Sequence, residues 1–283
     1  MHNRTVAIVT DSTAYLPQAL VDQYQIHVIP LRVQWGDETF RDGVDIKAAD
    51  FYERLKTDRV VPTTAAPSIG DFHQMFDAAL ETADAVVGIL ISSALSATCS
   101  VAEQAKALMP GKRIEVIDSY LTSMAMGYVV LAAARAAEQG KLVEQVLGAA
   151  RAPMLHAHVV FTVETLEYLR RGGRIGAAQA FLGDLMDVKP ILGLREGRIE
   201  PMERVRTKKK ALDRMADMIV GYAQGHTPVR LAALHALAPD EAADLMEAAS
   251  VRLEVVEKVI AELSPAIATH TGPGTLGLVC CPA

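Results

Sequence analysis

The sequence predicts an α/β fold in two parts, a parallel-sheet domain over residues 1–155 and a mixed α/β domain over residues 156–283. Three observations carry this expectation. In the first half, short apolar runs alternate with helical patterns, as in a parallel sheet covered on both faces. Residues 85–91 (Ala-Val-Val-Gly-Ile-Leu-Ile) are continuously apolar, the signature of a strand buried on both faces. In the second half, residues 189–201 read as a hairpin turning at Glu196 and Gly197, which brings in antiparallel pairing. No Ser/Gly-rich linker marks the boundary near residue 155, so the halves are expected to pack tightly and to exchange segments.

Taken in order, residues 6–9 form a first strand and a helix opens at Pro17, a favoured first helical position. Residues 26–33 read as a second strand. Ser68 followed by Asp71 resembles a capping box with Asp in the acidic place, which predicts a helix running to about Glu81. The strand at 85–91 is followed by a helix from about Ser96, a strand at 113–117, and a long Ala-rich helix from Thr122 to Gln139. Past the boundary come a strand at 159–163, a short helix at 166–171 and the hairpin. A helix over 208–223, a strand over 229–235, a helix over 239–249 and a strand near 253–256 follow. The Gly-rich turn at 272–277 feeds a last strand.

Composition excludes several classes. A formal charge of -6 gives no electrostatic reason for nucleic-acid binding. Residues 1–5 run directly into an apolar strand, without the h-region and cleavage site of a signal peptide. The most apolar long stretch, 121–137, is interrupted by Ser123 and Arg135 and is too short to span a bilayer. A cytoplasmic protein without stable membrane insertion is expected. The cysteines, Cys99, Cys280 and Cys281, are odd in number and lack CxxC spacing, which argues against a disulfide framework and against a zinc site. There is no GxSxG elbow, HExxH helix or GxxxxGK[ST] loop, and Gly172 to Gly176 is not a GxGxxG. A kinase or hydrolase acting alone is poorly supported, and no cofactor is expected.

Polar residues collect where the strands end. Val9 is followed by Thr10, Asp11, Ser12 and Thr13; Ile91 by Ser92, Ser93 and then Ser96; Ile117 by Asp118 and Ser119. In open parallel sheets ligands sit beyond these carboxyl ends. Any one segment can be explained as a helix cap, but together they point to a ligand site. With Thr63 and Thr64 the edge is dominated by hydroxyls, which suit a single carboxylate or phosphate. His270 precedes Gly272 and Gly274, which allow close backbone approach. The basic cluster of Arg204, Arg206 and residues 208–210 opens a helix, where cations oppose the dipole, leaving room for an acidic partner or a phosphate. Two rival readings follow from the same residues. One is a stand-alone enzyme using Asp11, Asp118 and His270 on a small polar substrate; the other is a regulatory module binding partners through 206–210.

An ordered set of segments resembles the DegV family, the fatty-acid-binding subunits of bacterial fatty acid kinase. The matching stretches are 8–13 (Ile-Val-Thr-Asp-Ser-Thr), 62–68 (Pro-Thr-Thr-Ala-Ala-Pro-Ser), 91–98 (Ile-Ser-Ser-Ala-Leu-Ser-Ala-Thr) and 166–175 (Leu-Glu-Tyr-Leu-Arg-Arg-Gly-Gly-Arg-Ile). Further on come 189–192 (Lys-Pro-Ile-Leu), 206–211 (Arg-Thr-Lys-Lys-Lys-Ala) and 270–277 (His-Thr-Gly-Pro-Gly-Thr-Leu-Gly). The resemblance implies a long-chain fatty acid buried in a tunnel between the domains. Its carboxylate would be held by Thr64, Ser93 and His270, with Thr63 and Ser96 as secondary candidates. A separate kinase subunit would phosphorylate it to an acyl phosphate, with Arg174 and Arg206 contacting that partner or the phosphate. The chain itself would be a carrier with no catalytic residue and no metal. It departs from the family pattern at Ala65 and Ala66, where Ser-Gln is usual, and at Ala97, where Gly is usual.

Overall fold

A computed structural model of the chain describes residues 4–184 and 188–283. Residues 1–3, part of the start read above for a leader, lie outside the described residues.

The first half runs β1 (Arg4–Asp11), α1 (Gln18–Tyr24), β2 (His27–Ile29), β3 (Arg32–Trp35), β4 (Glu38–Arg41), α2 (Ala48–Thr57), β5 (Thr63–Ala65), α3 (Ile69–Leu80) and β6 (Ala83–Leu90). It continues through α4 (Thr98–Ala107), β7 (Ile114–Asp118), α5 (Ser123–Glu138) and α6 (Val143–Met154). Strands β2, β1, β6 and β7 form a parallel sheet in that order. The apolar run of β6 is central and buried, with Val86, Val87, Ile89 and Leu90 fully enclosed. The Ser68 capping box is present, with Ser68 Oγ accepting from the Asp71 N–H and Asp71 accepting from the Ser68 N–H.

Several details differ from the sequence reading. The strand expected over 26–33 is two strands, because Pro30 has no N–H to donate to a ladder. Only β2 stays in the parallel sheet; β3 leaves it to pair antiparallel with β4 and β5. That three-stranded sheet was not expected. Pro17 is the N-cap of α1, not its first helical residue. The helix after β6 begins at Thr98, because the Ser96 N–H closes a turn on the Ser92 carbonyl first.

The second half runs β8 (His158–Thr162), α7 (Glu167–Arg171), a 3-10 turn (Gly176–Asp184), β9 (Lys189–Arg195), β10 (Arg198–Val205), α8 (Lys208–Ala223) and β11 (Val229–His235). Then come α9 (Pro239–Ser250), β12 (Val255–Glu262), α10 (Pro265–Thr271) and β13 (Leu276–Pro282). Its six-stranded sheet has the order β10-β9-β8-β13-β11-β12, and only the β11–β12 pairing is parallel. The β9–β10 hairpin turns at Glu196 and Gly197, both with positive φ, as a two-residue type I′ turn requires.

Two contacts join the sheets and create the site. Helix α5 touches β1 and β6 of the first sheet and β11 and β13 of the second. Twelve of its sixteen residues are buried, which explains a helix too apolar for a one-sided surface position. Tyr128 on α5 donates to the Leu231 carbonyl on β11 at 2.6 Å. Arg135 interrupts the apolar run because it reaches Glu257 on β12 at 2.9 Å. The second link is α10, which packs on α7 but also on α2, β3 and β5. The principal core cluster accordingly runs from Val6 to Cys281. The three cysteines are buried free thiols. No helix of the described residues is long and apolar enough to cross a membrane.

Candidate functional site

A cavity lies where these elements meet, holding about 810 Å³ of space free of protein atoms, including the part open to solvent. The second sheet supplies Val159, Phe161, Leu194, Ile199 and Leu234 to its wall. Leu31, Ile91 and Leu95 come from the first half, and Leu263, Ala266 and Ile267 from α10 and the segment leading into it. A second, outer pocket, lined in part by the exposed Val61, Thr63 and Arg171, adjoins it. Thr64, Arg174 and His270 line both, so they form the wall shared by the apolar cavity and the outer pocket.

Local structure explains how these side chains meet. Strand β5 pairs Thr64 with Val33, and α10 delivers His270 from the far end of the chain. Thr64 Oγ1 lies 2.7 Å from His270 Nε2. The imidazole rests against Gly172, where any Cβ would overlap Nδ1 and stand 2.8 Å from Cε1. Nδ1 is buried without a hydrogen-bond partner. Burial, reinforced by the positive charge of Arg174, pushes the His270 pKa down to about 4, so the ring is neutral near pH 7. Arg174 is held in place by backbone carbonyls, donating from Nε to Leu95 at 3.0 Å and from Nη1 to Gly172 at 2.6 Å. A neutral ring, a hydroxyl and a guanidinium on one wall can hold a single anion.

The other candidate residues fall in different places. Ser93 is exposed, its N–H donates to Asp118 Oδ1 at 3.1 Å, and it does not line the cavity. The structure therefore does not bring Ser93 to Thr64 and His270, because the turn after β6 points Ser96 inward instead. Ser96 lines the cavity, with its Oγ 2.8 Å from Thr98 Oγ1. Thr63 lines only the outer pocket and bonds Gln34. Arg206 is exposed before α8 and lines neither space. Within the basic cluster, Lys208 pairs with Glu241 and Glu164, and Thr207 caps α8 through the Lys210 N–H.

The trio required by the stand-alone enzyme reading is not assembled. Asp11 is buried, with its pKa raised by that burial, and accepts from Thr13 Oγ1 at 2.6 Å and from the Ile91 N–H at 2.7 Å. It ties the end of β1 to the end of β6. Asp118 accepts the Ser93 and Tyr120 N–H groups. Neither carboxylate lines the cavity.

Sequence reading missed Asp42. This buried carboxylate accepts from Ser12 Oγ at 2.6 Å, Ser264 Oγ at 2.9 Å and the Ala266 N–H at 3.1 Å. It caps α10, whose own Ser264 side chain makes no capping bond. An Asp beside Gly43 reads as an ordinary turn residue, so the sequence carried no signal for this role.

Fold and site together define a three-sheet α/β protein with a largely apolar cavity bounded on one side by a polar wall. Residues 5–283 match the model of a family described as uncharacterised proteins of the DegV family, and the chain belongs to that family. It is 40% identical to a DegV domain-containing protein of Streptomyces coelicolor, covering 98% of each chain. It is 36% identical to protein DegV of Bacillus subtilis, covering 98% of this chain and 99% of that one. Among solved structures, a Thermus thermophilus DegV family protein, described for its fatty acid binding, superposes with a TM-score of 0.93 at 38% identity, covering 99% of this chain and 100% of that one. DegV of Bacillus subtilis, described as a fatty acid binding protein, superposes with a TM-score of 0.88 at 35% identity, over 99% and 100% of the two chains. The parallel sheet of the first half and the mixed sheet of the second are the architecture of these structures.

Proposed function

We propose that this chain is a cytoplasmic carrier that binds a long-chain fatty acid, acyl chain inward, and presents its carboxylate to a partner kinase for phosphorylation to an acyl phosphate. One observation carries the reading: Thr64, Arg174 and His270 form a wall common to the apolar cavity and the outer pocket. A carboxylate held there is reachable from outside while its chain stays buried. The described fatty acid binding of the Thermus and Bacillus relatives supports it.

The energetics are adequate. Burying a methylene contributes about 0.8 kcal/mol, so a sixteen-carbon acid with about fourteen of them gains on the order of 11 kcal/mol before ordering costs. An unsatisfied buried carboxylate would cost several kcal/mol, which Thr64 and His270 offset at about 1.5–3 kcal/mol per charge-assisted bond. Ser96 is the hydroxyl of the loop after β6 that stands nearest this task; Ser93 joins only if that loop moves. Arg174 balances the carboxylate charge, and Arg206 is a contact for the partner. Nucleotide and metal chemistry belong to that partner, and the division near residue 155 separates the halves that enclose the chain.

The test is to denature the purified protein and analyse its organic extract by mass spectrometry. A stoichiometric fatty acid is the expected result. A lipid-free protein that also takes up neither palmitate nor oleate overturns the reading.

A further inference from the structure

Two hydroxyl groups inside the cavity are not used by the carboxylate wall. Thr122 and Ser123 line the apolar cavity and are absent from the outer pocket. Ser123 is 3% exposed, and both its Oγ and Thr122 Oγ1 are buried without a hydrogen-bond partner. A buried hydroxyl left unpaired is destabilising, and such groups in native proteins call for an explanation. The structural explanation available to Thr122 is missing. It occupies the N-cap of α5, where threonine ordinarily bonds a first-turn N–H, yet its side chain makes no capping bond. Ser123 is held at φ +56, in the left-handed region that a side-chain-bearing residue adopts at some cost.

The hydroxyls stand at the N-terminus of a sixteen-residue helix, the end whose N–H groups and dipole favour an electron-rich atom. Among the described lining residues the cavity's cation is Arg174, on the wall shared with the outer pocket. A carboxylate is therefore better placed at that wall, and a neutral oxygen suits the helix end. We infer that Thr122 and Ser123 form a second polar station for a hydroxyl or keto oxygen carried on the acyl chain, so that the cavity favours an oxygenated long-chain fatty acid over the plain one. The inference rests on the fatty-acid reading and adds a substrate class to it.

The test uses the delipidated full-length protein and calorimetry with stearic acid and a series of monohydroxystearic acids differing in hydroxyl position. One isomer is expected to bind about tenfold tighter than stearic acid, as one or two buried hydrogen bonds provide. In Ser123→Ala and in Thr122→Val that ratio is expected to fall to within about threefold of unity, while Thr122→Ser, which keeps the hydroxyl, retains it. If no isomer is favoured over stearic acid, the hydroxyls serve an ordered water or nothing, and the inference is overturned. It is equally overturned if the variants leave the ratio at its wild-type value, which would mean that they act on both ligands alike. A protein that binds neither stearic acid nor any isomer fails the fatty-acid reading itself, and the stearic acid arm separates that outcome from the others.

Discussion

Thr64 Oγ1 and His270 Nε2 stand 2.7 Å apart although 206 residues separate them in the chain. The pair couples the small β4-β3-β5 sheet to α10 and forms part of the polar wall of a largely apolar cavity. Each prediction below follows from this pair or from a group that positions it.

Thr64→Val keeps the side-chain shape and removes the hydroxyl. The loss of one charge-assisted hydrogen bond is expected to raise the palmitate Kd by about ten- to a hundredfold, read by calorimetry. An unchanged Kd would remove Thr64 from the head-group site.

Gly172→Ala places a methyl group on the His270 ring. The ring has to move, and the Thr64 contact is expected to break. The variant should fold, show a Tm within a few degrees of wild type, and match Thr64→Val in palmitate affinity. Full retention of affinity would show that the ring position does not matter to the ligand.

Asp42→Ala removes the acceptor of three donors at the start of α10. Stability is expected to drop by about 2–4 kcal/mol in urea unfolding. Asp42→Asn, which keeps one acceptor oxygen, is expected to lose about half as much. Equal losses in the two variants would argue that the charge, not the capping geometry, is what Asp42 supplies.

His270 gives stability a pH dependence of defined sign. Its folded-state pKa is about 4 against a reference of 6.5, so as pH falls below 6.5 the unfolded chain gains a proton that the folded chain refuses. The contribution is complete above pH 6.5, declines between 6.5 and about 4, and amounts to on the order of 3 kcal/mol. Asp11 and Asp42, whose pKa values are raised by burial, act in the opposite direction. The difference between the stability curves of wild type and His270→Gln therefore isolates the histidine. A flat difference between pH 4 and 6.5 would contradict its burial as a neutral ring.

Much of the fold was legible because local chemistry and global structure agree. Ser68 with Asp71, Glu196 with Gly197, and the unbroken apolar run of β6 each specify one local geometry, and each forms as expected. What stayed hidden depends on distance in the chain. Strands β4 and β5 are short and partly exposed, so Thr63 and Thr64 carry no strand periodicity, and their pairing to β3 is decided by Pro30 turning the chain aside. Helix α10 has seven residues and is capped by Asp42 from 224 positions away. Strand β12 was placed too early and too short, because Glu257 and Lys258 interrupt its apolar pattern at the edge of the sheet.

The site was legible by segment but not by side chain. The rule that ligands lie beyond strand ends selected the loop after β6, yet Ser96 faces the cavity and Ser93 faces solvent. The same rule drew attention to Asp11 and Asp118, whose bonds hold loops and do not reach the cavity. Thr64 and His270 were noted from their neighbours in the sequence and joined in one role by the family resemblance, and the hydrogen bond between them could be seen only once the fold was assembled.

The most direct test of the account is the nuclear magnetic resonance signal of palmitate labelled with carbon-13 at its carboxyl group, bound to the protein and followed across pH. The account predicts a single bound resonance, displaced from that of free palmitate, insensitive to pH between 5 and 8 (roughly the range in which a buried carboxylate held by hydrogen bonds stays ionised) and moved by Thr64→Val. A bound resonance that titrates with the free acid and is indifferent to Thr64→Val and Gly172→Ala would contradict it, because the carboxylate would then lie in solvent, away from the Thr64–His270 wall.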